Sequence, residues 1–245
     1  MTDTAVPMTD VSVAPSGPAN PGTVVITGGA SGLGAAVAAA VRDAGGRPLV
    51  IDRADPGEIE WENADLADSE SAARAARALV DRAGGEVHGV FTAAGTDSCG
   101  RFEDLPAAEW ERVVRVNLFG TAAVVRAALP ALRRTGGRLV TCASTLGLKA
   151  LPDATAYCAS KFGVVGFTRA LAAELAGEVG ITLLVPGGMH TAFFDGRPDR
   201  YKPAPDARLN KPGDVAATVV FALSQPAGCE IREMVVCPST ETSWP

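Results

Sequence analysis

The sequence predicts a single α/β domain, a doubly wound parallel sheet of about seven strands with helices on both faces. Three observations carry that reading. Short β-branched runs alternate with longer alanine-rich segments along nearly the whole chain. The first such run, Thr23-Val24-Val25-Ile26-Thr27, opens directly into a glycine turn and then a helix. Asp52, Ala94, Ser144 and Pro186-Gly187 each follow a run of strand type, so chain order gathers them at one sheet edge. In such folds ligands meet the carboxyl ends of the strands.

Composition narrows the function classes. With 245 residues, 47% of them apolar, the chain can bury one large core. A net charge of −6 offers no global positive field for nucleic-acid phosphates or an anionic membrane surface. The five cysteines, Cys99, Cys142, Cys158, Cys229 and Cys237, are odd in number and contain no Cys-x-x-Cys pair. Reduced thiols in a cytoplasmic protein are therefore expected, not a disulfide framework or a zinc site. With only His88 and His190, no histidine-rich metal centre is expected either. No apolar run approaches the ~20 residues that span a bilayer. Residues 1–22, rich in Thr, Ser, Pro and Asp, lack the basic start and compact apolar segment of a leader and read as a disordered tail.

The first strand ends in Gly28-Gly29-Ala30-Ser31-Gly32-Leu33-Gly34, followed by a helix to about Ala44. Glycines here let the backbone turn tightly and approach a pyrophosphate, while the helix start offers unpaired N–H groups and a positive dipole end. Arg47 to Asp52 reads as the second strand. Asp52 lies about twenty residues past the glycines, where a carboxylate accepts adenosine ribose hydroxyls and repels a 2′-phosphate. Ser31, just before Gly32, has no charge to offer that phosphate. Both point to NAD. Arg53 is the reservation, a cation next to Asp52 that could turn inward.

A short strand over 61–64 leads into Asp65-Leu66. Asp65 either lies near the adenine or caps the helix expected from Ser69 to about Ala83. Residues 87–92 form the next strand, and the small residues Ala93, Ala94 and Gly95 let the backbone pass close to a cofactor. The helix over 107–134 contains Asn117, a poor interior residue, which suggests a polar task or a kink. The strand over 137–142 precedes Ser144. The strand over 181–185 ends in Pro186-Gly187-Gly188-Met189-His190-Thr191. An irregular stretch over 192–210 follows, and a loop this long in a compact domain reads as a lid. A helix over 212–223 and a strand over 230–236 close a domain spanning 23–237, with its lid at about 190–211 and a tail at 238–245.

Tyr157 and Lys161, on a helix predicted over 157–176, are one turn apart on one face. An ammonium beside a phenol favours the phenolate and lowers the phenol's pKa from about 10. Such a phenol exchanges protons with a substrate hydroxyl or carbonyl.

Taken together, these residues resemble the single-domain short-chain dehydrogenase/reductase family, a Rossmann-like fold, over about Thr23 to Val236. The motifs that carry the resemblance occur in order: Thr27-Gly28-x-x-x-Gly32-x-Gly34, Asp65-Leu66, Ala93-Ala94-Gly95, Asn117, Ser144, Tyr157-x-x-x-Lys161 and Pro186-Gly187-x-x-x-Thr191. One departure is Thr92, where the family usually has asparagine; its hydroxyl is expected to replace the asparagine's hydrogen bonds only in part.

The resemblance implies Tyr157 as general acid/base, with Lys161 lowering its pKa and holding the nicotinamide ribose. It implies Ser144 bound to the substrate oxygen and Asn117 holding a water in a proton relay. Thr191 would contact the nicotinamide carboxamide and Asp52 the adenosine ribose. The remaining cofactor contacts would come from Gly28, Ser31, Gly32, Leu33, Gly34, Arg53, Asp65, Leu66, Ala93, Ala94, Gly95, Pro186, Gly187 and Met189. None of this requires a metal. Phe193, Phe194 and Tyr201 are candidate apolar walls for a small-molecule substrate, and His190 a polar group at the pocket mouth. From His190 through Lys211 five Arg and Lys face three Asp, an excess that would suit an anionic or carrier-linked substrate. A homotetramer or homodimer is expected, with the C-terminal tail either frayed or docked on a neighbouring subunit. The expected activity is NAD-dependent oxidoreduction of a secondary alcohol or carbonyl. The rivals are an NADPH-dependent 3-oxoacyl-carrier reductase and a non-catalytic dinucleotide-sensing protein.

Overall fold

The structure, a computed structural model, describes residues 20–244. Most of the expected N-terminal tail, residues 1–19, lies outside them. Asn20 and Gly22, at the end of the expected tail, hydrogen-bond to the domain. The Asn20 amide donates to the Gly45 carbonyl at 2.9 Å, and the Gly22 carbonyl accepts from the Arg47 N–H at 2.9 Å.

Among the described residues, seven parallel strands form one sheet in the order β3-β2-β1-β4-β5-β6-β7. They are β1 (Thr23–Thr27), β2 (Arg47–Asp52), β3 (Trp61–Asn63), β4 (Gly89–Thr92), β5 (Arg138–Cys142), β6 (Gly180–Pro186) and β7 (Glu233–Val236). The chain winds outward from β1 to β3, then returns to β4 beside β1 and winds the other way. The switch point therefore lies between β1 and β4, where Thr27 pairs with Thr92.

Strands buried on both faces need apolar residues pointing both ways. Val24 and Ile26 of β1 face one cluster, with Val37 and Val41 of α1 (Gly32–Asp43) and Val219 of α6 (Pro212–Leu223). Val25 faces the other, with Leu79 of α2 (Ser69–Arg82) and Leu132 of α4 (Thr121–Thr135). Each fully buried aliphatic side chain in these layers contributes about 1.5–3 kcal/mol. Asp68, not Asp65, caps α2, accepting from the Glu70 and Ser71 N–H groups at 2.9 and 3.1 Å. Gly136, at φ 60°, ends α4 in the left-handed conformation that favours glycine.

Several boundaries differ from expectation. The helix over 107–134 is three pieces: α3 (Ala107–Val114), a π-helical turn (Arg115–Gly120) that contains Asn117, and α4. The helix carrying Tyr157, α5, begins earlier and covers Thr155–Glu174. The last strand begins at Glu233, because side chains take over the pairing before it. The Glu230 carboxylate accepts the Ile181 N–H at 2.6 Å, and the Thr182 hydroxyl donates to the Ile231 carbonyl at 2.6 Å.

By length and composition, the helical run Ala107–Thr135 is apolar enough to cross a membrane. This departs from the expectation that no apolar run approaches a spanning length. Val124, Ala128 and Leu132 are buried in the layer shared with α2.

Candidate active site

The carboxyl edge of the sheet borders a cavity of about 880 Å³ that runs from the glycine turn to the lid. Gly28 and Gly32 have φ of 72° and 55°, values that side chains disfavour. A Cβ on Gly28 would stand 2.8 Å from the Ala94 backbone, and one on Gly34 would overlap the Gly28 carbonyl oxygen. The glycines thus bring β1, β4 and the start of α1 together. Ser31 makes no side-chain capping bond and the first turn of α1 carries no acid, so its orphan N–H groups meet the cavity unopposed. That is a cradle for an anionic group, and a dinucleotide pyrophosphate fits it.

Asp52, at the end of β2, accepts from the Ala30 and Ala54 N–H groups, both at 3.0 Å. These bonds hold the carboxylate beside the glycine turn. Arg53 also lines the cavity. Burial alone would raise the Asp65 pKa, but the Ala67 N–H and the Arg112 guanidinium outweigh it and hold the carboxyl below its ordinary range. Arg112 reaches Asp65 at 3.1 and 3.2 Å, a fork the sequence reading missed because the partners are 47 positions apart.

Beyond β4, the Ala94 N–H donates to Thr27 Oγ1 at 3.1 Å. Thr92 Oγ1 is buried and has no hydrogen-bond partner among the described residues, so within them the hydroxyl supplies none of the bonds expected of it. Asn117 lies behind the cavity wall. Its amide brackets the Thr96 backbone, with Oδ1 accepting the N–H at 2.8 Å and Nδ2 donating to the carbonyl at 2.9 Å. Nδ2 also donates to Ser160 Oγ at 2.9 Å. The π-helical turn aims this polar side chain inward, and the Asn117 carbonyl accepts from the Thr121 hydroxyl at 2.9 Å.

Ser144, Tyr157 and Lys161 line one cavity. Ser144 Oγ accepts the Leu146 N–H at 3.1 Å, which leaves its proton free to donate. Lys161 is 4% exposed, and its Nζ donates to the Cys142 carbonyl at 2.9 Å. The same Nζ stands 5.6 Å from the Tyr157 ring centroid.

The electrostatics differ from expectation. Burial pushes the Tyr157 phenol well above its ordinary value, and the Cys142 thiol adds to this; the Ser144 hydroxyl and Arg197 guanidinium act the other way. Lys161 is not among the main groups that offset this rise. Its own ammonium is destabilised by burial, so its pKa falls, and the charge is directed at the Cys142 carbonyl.

Residues of the segment after β6 line this end of the cavity. The Phe193 ring lies 5.7 Å from the Tyr157 ring, and Phe194 lies 5.6 Å from Phe193. Arg197 stacks over both and pairs with Asp97, while the Tyr201 hydroxyl donates to Asp153 at 3.0 Å. Cys99 donates to the Asp97 carboxylate at 3.2 Å, and burial first, then that carboxylate, pushes its thiol up to about 12. Neither Asp97 nor Cys99 carries a local sequence signal, and Arg197 was visible only as one of several lid cations. His190 is exposed, away from the cavity wall, with its N–H donated to the Asn210 carbonyl at 2.9 Å. Phe193, Phe194 and Tyr201 line the wall, as do Gly28, Ser31, Gly32, Leu33, Gly34, Leu66, Ala93, Gly95, Pro186, Gly187, Met189 and Thr191.

A family model described as short chain dehydrogenase matches residues 22–202. A 2-(S)-hydroxypropyl-CoM dehydrogenase of Xanthobacter autotrophicus is 32% identical, over 83% of this chain and 90% of that protein. A D-threitol dehydrogenase of Mycolicibacterium smegmatis is 32% identical, over 83% and 86%. Among solved structures, an alcohol dehydrogenase from the archaeon Thermococcus sibiricus, complexed with 5-hydroxy-NADP, superposes with a TM-score of 0.79 at 25% identity, over 88% of this chain and 95% of that one. A seven-stranded parallel sheet with its site at the switch point, and a family match across most of its length, place this chain in the short-chain dehydrogenase family.

Proposed function

We propose that this protein transfers hydride between NAD(H) and a secondary alcohol or its carbonyl, with Tyr157 as general acid/base. The observation that carries the reading is the meeting of Ser144, Tyr157 and Lys161 on the wall of a cavity that begins at an uncapped helix start. When bound, the nicotinamide supplies hydride acceptance and donation. The chain supplies the proton chemistry and the positioning. The Ser144 hydroxyl donates to the substrate oxygen and sets its distance from the phenol. Tyr157 accepts the hydroxyl proton in oxidation and returns it in reduction. Lys161 offers its remaining N–H donors to the cofactor ribose. Asn117 holds the Thr96 backbone and Ser160 behind Lys161, where a water relay would run. Phe193, Phe194 and Tyr201 exclude water from the reacting atoms.

Asp52 supports NAD over NADP, since its carboxylate is fixed at the cavity wall and Ser31 adds no compensating charge. Arg53 on the same wall is the feature that favours the rival, an NADPH-dependent 3-oxoacyl-carrier reductase. A purely dinucleotide-sensing role would leave Ser144 and Tyr157 without a task. The remaining cofactor contacts are assigned as in the sequence reading, with the 23–237 domain and its lid as one catalytic unit. A cytoplasmic homodimer or homotetramer completes the proposal, supported by the exposed Phe119, Phe162 and Phe221.

The deciding experiment is a screen of secondary alcohols and ketones with NAD(H) and NADP(H), read by absorbance of the reduced cofactor. Turnover with NAD(H) favoured supports the proposal. Turnover favoured with NADP(H) overturns the assignment of Asp52, and no turnover with either overturns the activity.

A further inference from the structure

Residues 240–243 of the C-terminal segment line the same cavity as Ser144 and Tyr157. This segment does not fray; it folds onto its own chain. Glu241 Oε2 accepts the Gly188 N–H at 2.9 Å. Oε1 accepts from Ser243 twice, from its N–H at 3.1 Å and its hydroxyl at 2.7 Å. Ser243 Oγ lies 2.6 Å from Thr145 Oγ1, and both residues are buried. Because Ser243 gives its proton to Glu241, the Thr145 hydroxyl must donate to Ser243. Lys149 Nζ, donating to the Thr242 carbonyl at 3.1 Å, fastens the segment from outside.

The two ends of this relay are turns that carry the chemistry. Thr145 follows Ser144, and Gly188 lies in the turn after β6 that leads to Thr191. A Cβ on Gly187 would overlap Glu241 Oε2, so the turn and the carboxylate are fitted to each other. Three hydrogen bonds converge on one carboxylate, and hydrogen bonds to an ionised acceptor are about twice as strong as neutral ones.

We infer that Glu241 is a positioning residue that sets the spacing between the Ser144 turn and the 186–188 turn, so the C-terminal segment is a working part of its own subunit's site. The inference rests on the catalytic reading above. Small displacements of a positioned group lower kcat steeply, by about 100-fold for 1 Å. The relay therefore acts on kcat more than on the Kd of the cofactor.

The test compares the full chain with Glu241→Ala, Glu241→Gln and Ser243→Ala. It measures kcat and KM for the alcohol, the Kd of NADH by fluorescence, and deuterium exchange in peptides 142–149 and 184–192. Glu241→Ala is expected to lower kcat about tenfold or more while the NADH Kd moves less than about threefold. Exchange should quicken in both peptides, and Glu241→Gln should restore part of each effect. Ser243→Ala should loosen only peptide 142–149. If Glu241→Ala does not fold, Ser243→Ala and Thr145→Val carry the comparison. Quickened exchange with kcat within about twofold overturns the inference, as does unchanged exchange. If the unaltered chain turns over no alcohol, the activity fails. The exchange pattern then still decides the relay: quickening confined to these two peptides supports it, and any other pattern overturns it.

Discussion

Arg197 donates to Asp97 at 2.8 Å across 100 positions of sequence, with side chains only 17% and 5% exposed. The guanidinium lies over the Phe193 and Phe194 rings at 4.8 and 4.6 Å, so lid, β4 loop and apolar wall share one charged contact. Arg197 Nε is buried with no partner among the described residues, so this pair already leaves one donor unmet. Removing the acid leaves the guanidinium only the Tyr201 carbonyl among these residues, at 3.5 Å. Asp97→Ala is expected to cost about 3 kcal/mol, measured by urea unfolding, because it leaves an uncompensated buried cation. A loss below about 1 kcal/mol would mean that the lid simply opens and hydrates Arg197.

Tyr157→Phe removes one oxygen and keeps the ring that packs against Phe193. Turnover is expected to fall by about 10²–10⁴-fold with NADH binding retained, as read by stopped assays and fluorescence titration. Full activity in this variant would refute Tyr157 as the acid/base.

Asp52→Ser replaces by a hydroxyl the carboxylate that anchors the Ala30 and Ala54 N–H groups and lines the cavity. The ratio of kcat/KM for NAD over NADP is expected to drop about tenfold or more, since the repulsion of a 2′-phosphate goes with the charge. A ratio that does not move would assign coenzyme choice elsewhere, with Arg53 the first alternative.

Thr92→Val replaces a buried hydroxyl, without a partner among the described residues, by a methyl group of similar shape. Removing an unsatisfied polar group is expected to raise stability by about 1 kcal/mol, seen as a higher denaturation midpoint. A destabilised variant would show that the hydroxyl is satisfied in solution.

Glu241 gives a pH dependence with a definite sign. Burial opposes its charge, but the Gly188 N–H and the Ser243 donors outweigh it, and the carboxyl is held below its ordinary 4.5. A depressed folded value means that the stabilisation is present above 4.5 and is lost as pH falls through the folded value. Acid unfolding followed by circular dichroism should therefore show a smaller loss of stability in this range for Glu241→Gln than for the unaltered chain. Identical acid limbs would remove Glu241 from the account.

Much of the site was legible because its signals are local. A glycine turn between a strand and a helix, a carboxylate at a strand end and a Tyr-x-x-x-Lys on a helix each express backbone geometry within a few residues. The alternation of strand and helix then brings strand ends to one edge, so Gly28, Asp52, Ser144 and Pro186 meet. The position of Asn117 was suspicious from helix propensity alone, yet the π-helical turn that houses it needed the packing of α3, α4 and α5. Asp97, Arg112 and Glu241 carried no signal, because each gains its role from a partner 47 or more positions away.

The sequence by itself determined the fold class, the order of its motifs and which residue types reach the carboxyl edge, since short-range steric preferences and hydrophobic period govern these. Tertiary structure alone decided the charge environment. Burial raises the Tyr157 phenol, destabilises the Lys161 ammonium and pairs Arg197 with Asp97. It also brought the C-terminal segment onto the Ser144 turn. Desolvation and long-range pairing depend on which surfaces meet when the chain closes, and no window of neighbouring residues contains that information.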